Sequence, residues 1–249
     1  MRTSNPTLTD NTFSSAGYVN PSEAMTMQGT VVKTAILLLV ALLSAGWTWV
    51  KFYKTGGHDA AAITPWIYGG AIGGFILALA TVFKPTWSAA TAPLYALLEG
   101  FFIGGISAVM ELAYPGIVIQ ATILTFGTML AMLAAYQSGW IRATENFKLG
   151  VVAATGGIAL VYVATLILSF FNIQIPFIYG NGWMGIGFSL FVVGIAALNF
   201  VLDFDFIEQS AKRGAPKYME WYASFALMVT LIWLYIEILR LLSKVRSSK

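Results

Sequence analysis

The side chains that could do chemistry in this sequence are carboxylates set in otherwise apolar surroundings. They are densest in residues 199–242, NFVLDFDFIEQSAKRGAPKYMEWYASFALMVTLIWLYIEILRLL. One apolar segment there ends in Asp203, Asp205 and Glu208. A basic turn follows with Lys212, Arg213 and Lys217. A second apolar segment then opens on Glu220 and closes with Glu237 and Arg240. Glu99 stands inside another apolar run, with Glu111 just after its end. A carboxylate in or at the mouth of a hydrocarbon layer is costly, so it marks an ion path, a proton relay or a buried pair.

A hairpin of the last two segments about Gly214 would put Asp203 and Asp205 level with Glu220, near one mouth. Glu237 lies 17 residues beyond Glu220, or about 25 Å of helix rise, near the opposite face. Glu99 falls near the middle of its span. Acids at successive depths replace hydration oxygens and offer titratable stepping stones for a cation or a proton. Hard oxygen ligands suit Ca²⁺ or H⁺, with Asp203, Asp205 and Glu220 as the candidate Ca²⁺ ligands. Structural readings compete with this. Asp205 and Glu208 could be neutralised by Lys212, Arg213 and Lys217, and Glu237 and Arg240 are spaced to pair on one helix face. Glu99 has no basic residue near its depth.

The elements that position these groups are seven apolar segments, residues 32–50, 62–83, 89–110, 116–137, 149–171, 183–202 and 219–242. The chain is 58% hydrophobic and only 10% charged over 249 residues. Each segment has about the length a bilayer needs, because in lipid every backbone polar group must be satisfied within its own segment. The expected fold is all-α: a polar tail at 1–30 and a seven-helix membrane domain at 31–249, joined by short connections into one bundle. Gly69, Gly70, Gly73 and Gly74, with Gly100 and Gly104, have the spacing that lets helices approach closely in lipid.

Lys and Arg in short loops favour a cytoplasmic N-terminus, while the basic C-terminal residues pull the other way. The net charge of +3 is spread over loops and ends, which fits lipid headgroups and not nucleic acid. There is no cysteine, and the single histidine, His58, lies in a polar loop. A thiol or histidine-based intramembrane enzyme is therefore excluded. The GxGD pattern of membrane aspartyl proteases is also absent, so no enzyme and no cofactor is expected.

The stretches ALLEGFFIGGISA, PGIVIQATILTFGTMLAMLAAYQSG and LDFDFIEQSAKRGAPKYMEWYASF, in this order, resemble the Bax inhibitor (transmembrane Bax inhibitor motif) family, and its bacterial YccA-like branch in particular. The resemblance implies seven helices with the last packed centrally, and a pH-sensitive Ca²⁺ leak governed by acids of the last two spans. The family's sixth-span acid matches Asp203 or Asp205, and its seventh-span acid matches Glu220. The family's second-span arginine has no counterpart, since residues 62–83 carry no base. Bacterial relatives imply a bacterial inner-membrane location and a second role, contact with a membrane-anchored ATP-dependent protease.

Overall fold

The computed structural model describes residues 24–55, 60–171, 180 and 182–248. The tail before residue 24, His58 and most of the connection at 172–181 lie outside the described residues. Seven long helices follow in order: α1 Met27–Lys54, α2 Thr64–Phe83, α3 Ser88–Ala113, α4 Ile117–Gln137, α5 Glu145–Ser169, α6 Trp183–Lys212 and α7 Met219–Ser247. All seven are long and apolar enough to cross a membrane.

Their surfaces carry the same message. Leu39, Leu43, Phe75, Phe83, Leu160 and Phe170 are all exposed, and large apolar side chains in such number need lipid around them. Within the helices, the hydroxyls of Ser44, Thr48, Thr81, Thr125 and Thr165 donate to carbonyls three or four residues back. They need no water for satisfaction. This is an integral membrane protein. α7 is the most buried of the seven and α6 the next, as expected of a last helix packed centrally.

The helices outrun the apolar segments read from sequence. α6 carries on ten residues past 202, so Asp203, Asp205 and Glu208 sit on the helix and not after it. Nothing between Gly194 and Gly214 breaks a helix. Gly214 then ends it, with φ +70, where the Arg213 and Gly214 amides donate to Gln209 and Ala211. A left-handed residue after a helix is cheap only for glycine.

The described residues pack as two compact units, with α6 and α7 each contributing to both. One comprises Gly116–Phe206 and Thr230–Lys249. The other comprises the described chain up to Pro115 and Ile207–Val229. Short connections make sequence neighbours adjacent, but they do not choose which helices pack most densely.

In the second unit, α1 and α2 both pack on α3, and the glycines explain how. A Cβ at Gly100 would overlap Ser44 and the Ala41 backbone, and one at Gly104 would overlap the Ala45 backbone. At Gly70 it would run into the Leu98 carbonyl and the Phe102 amide. The expected close-approach role therefore falls on Gly70, Gly100 and Gly104, whereas Gly69 faces open space.

Candidate functional site

Glu220 lies in the first turn of α7, where the helix dipole favours a negative charge. Its carboxylate is fully buried. Oε1 accepts from the Thr26 amide at 2.9 Å, the Thr26 hydroxyl at 3.0 Å and Lys217 at 3.1 Å, while Lys33 of α1 donates to Oε2. Thr26 is the N-cap of α1, and its hydroxyl also accepts from the Gly29 amide. The carboxylate occupies the space a Cβ at residue 29 would need, so only glycine fits there. Lys33 also lies over the Trp221 ring. The Met25 amide donates to the Ala215 carbonyl at 2.6 Å, and Ser224 to the Thr30 carbonyl at 2.9 Å. One carboxylate thus ties the start of α1 to the turn before α7. Just before that helix, burial pushes the Tyr218 phenol up.

In the other unit, polar residues line one face of three helices. On α5 they are Lys148, Thr155 and Tyr162, and on α7 Thr230, Glu237 and Lys244. Both sets are spaced by seven, which keeps them on one stripe. Lys148 pairs with Asp205 at 2.9 Å and with Glu145 at 3.4 Å, and the Tyr136 hydroxyl donates to Asp205. The Asp203 carboxylate accepts from Thr230 at 2.6 Å. Asn199 donates to Thr155 at 3.0 Å. The Tyr162 hydroxyl donates to Glu237 at 2.8 Å and accepts from Arg240 at 2.7 Å, while Arg240 bonds Glu237 directly at 3.1 Å. Lys244 donates to Ser189 at 2.9 Å and the Gly185 carbonyl at 3.1 Å. From Thr230 to Lys244 this seam runs about 21 Å along α7. It carries three acids and three bases, and its bonds are of the kind that join helices in lipid.

Glu99 is different. It sits mid-way along α3, partly buried, with its carboxyl against the α2 backbone where a Cβ at Gly74 would come within 2.7 Å of Oε1. Tyr95, one turn earlier, is buried with its ring edge-on to Phe225 at 4.8 Å.

The sequence model of the family described as Bax inhibitor 1 like matches residues 5–247, nearly the whole chain. The chain belongs to the Bax inhibitor 1-like family. No curated protein and no solved structure matches it.

The second helix carries no base, and the bases that meet the buried acids come from other segments. Lys33 of α1, which looked like a topology signal near the N-terminus, is bonded to Glu220. Lys148, read as a loop residue, is buried against Asp205. Of the alternative in which the basic turn neutralises Asp205 and Glu208, the Glu208 half is seen, whereas Asp205 pairs with Lys148. Lys212 serves Glu208 and Lys217 serves Glu220 instead. The expected Glu237–Arg240 pair is present. Asp203, Asp205 and Glu220 each have their own partners. Among the described residues, no group of three or more His, Cys, Asp or Glu is arranged to hold a metal. Lys148, Thr155, Tyr162, Ser189 and Lys244 were missed from sequence. The seven-residue spacing of polar groups in apolar helices was the available signal.

Proposed function

We propose that this protein is a passive cation pathway through the membrane, a leak for Ca²⁺ or H⁺ gated by protonation of Asp203, Asp205, Glu220, Glu99 and Glu237. The observation that carries the reading is that Asp203, Glu220 and Glu237 are almost wholly buried within membrane helices. Ionised, Asp205, Glu220 and Glu237 hold lysine, arginine and tyrosine donors from neighbouring segments. Protonated, a carboxyl loses most of that hold and the contacts loosen. Family membership and the resemblance to the bacterial YccA-like branch support a Ca²⁺ leak in a bacterial inner membrane. The loop bases Arg142, Arg213 and Lys217 support a cytoplasmic N-terminus. On this reading the protein is not an enzyme and needs no cofactor. The test is Ca²⁺ and H⁺ influx into dye-loaded liposomes containing the purified protein at several pH values. Flux that changes in Asp205→Asn or Glu220→Gln is expected, and flux no greater than in empty liposomes at every pH would overturn the reading.

A second reading is a non-transporting regulator that grips a membrane-anchored ATP-dependent protease. It is favoured by the bond from the Met25 amide to Ala215 in the basic turn, which offers a partner the start of α1 and the bases of the turn together. Deleting residues 1–23 should then abolish co-purification with the protease and leave liposome flux unchanged.

A further inference from the structure

We infer that Glu99 is a reversible proton-binding site inside the bilayer, and that its protonated carboxyl can be covalently modified by hydrophobic carbodiimides arriving from the lipid. The inference deepens the pathway reading and rests on it for the route a proton would take. The binding itself stands on geometry.

Glu99 lies 11 residues from the start of α3 and 14 from its end, about 17 Å and 21 Å of helix, so neither headgroup region is within reach of its short side chain. The α2 residue against it is Gly74, while Gly70 packs on Leu98 and Phe102 and Gly73 on Leu98. Among the described residues, no hydrogen-bond donor and no basic side chain meets the carboxyl. The titratable group coupled to it is Tyr95 on its own helix. From α1, the residues packed on the neighbouring Gly100 and Gly104 are Ala41, Ser44 and Ala45, none of them titratable. α7 presents the Phe225 ring to Tyr95.

A carboxylate in this position has no counter-charge. Ca²⁺ cannot supply one here, because it needs six to eight oxygens and Glu99 belongs to no group of three or more His, Cys, Asp or Glu among the described residues. One proton can. It turns an acceptor-only anion into a neutral group with its own O–H donor. Such an acid reacts with a carbodiimide by addition. The carboxyl oxygen bonds to the central carbon and its proton goes to one nitrogen; the acyl group then migrates from that oxygen to the other nitrogen, leaving a urea carbonyl. Nothing leaves and nothing is oxidised, so the product is heavier by the whole reagent.

The experiment uses the full chain in phospholipid vesicles. Infrared difference spectra between acid and alkaline pH should contain one component of the carboxylic-acid carbonyl stretch, this band being absent in Glu99→Gln and retained in Glu220→Gln. Dicyclohexylcarbodiimide should label the peptide containing Glu99, falling about tenfold per pH unit above the titration midpoint and vanishing in Glu99→Gln. Gly74→Ala keeps the acid but crowds Oε1, and should shift the band without abolishing the label. A band and label that persist in Glu99→Gln would overturn the inference. So would a wild-type Glu99 left unlabelled at every pH. Neither readout needs flux: vesicles that show the band but pass no cation refute the pathway and leave the site standing, and a conducting protein without the band does the reverse.

Discussion

At the start of α7, the Glu220 carboxylate accepts from two lysines, a threonine hydroxyl and a backbone amide. In the middle of α3, within the same unit, the Glu99 carboxyl rests on glycine backbone. Both are glutamates in apolar helices, yet the surroundings of the first are built for a negative charge and those of the second are not. Removing a charge should therefore damage the first place and spare the second. A buried acid with a full set of donors holds the fold together, whereas one without them is left for chemistry.

The largest expected effect comes from orphaning a carboxylate that is already paired. Lys148→Met takes from Asp205 the buried cation that faces it and should cost about 3 kcal/mol, since breaking a buried pair leaves its charge uncompensated. Thermal unfolding in detergent would show it, and an unchanged midpoint would mean that Lys148 contributes nothing there. Glu220→Gln keeps the shape but gives up the charge that holds Lys33 and Lys217. A loss of about 2 kcal/mol is expected, together with faster amide hydrogen exchange at Met25 and Thr26. Next comes a contrast between glycines. Gly104→Ala drives a methyl into the Ala45 backbone and should cost about 2 kcal/mol, whereas Gly194→Ala meets open space and should gain about 0.5 kcal/mol from helix propensity. If both shift stability in the same direction, close approach is not what Gly104 provides. Tyr162→Phe removes the hydroxyl shared by Glu237 and Arg240, for about 1 kcal/mol. The smallest effect sharpens the comparison most: Glu99→Gln should leave the unfolding midpoint within the scatter of repeats while removing the infrared band. A large destabilisation there would mean that Glu99 is structural after all.

Much of this was legible in the residues. Long uncharged runs can satisfy their backbone in lipid only as helices, so seven spans followed from composition and length. Glu237 and Arg240 are three apart on one helix, and that local geometry needs no tertiary information. The isolation of Glu99 was legible too, because no base lies near it in any of the spans. The partners of Asp205 and Glu220 were not. The nearest bases along the chain were the obvious candidates for Asp205, but Lys148 is 57 positions away in sequence and Lys33 is 187 from Glu220. Sequence distance says little about which helices touch.

What the sequence determined by itself is the membrane fold and the set of acids, because hydrophobicity and helical length are properties of each segment alone. Which base neutralises each paired acid was decided by the tertiary structure. A counter-charge has to arrive from another helix, and only the packing, set by glycines such as Gly70 and Gly100 that let backbones close, determines which helix arrives.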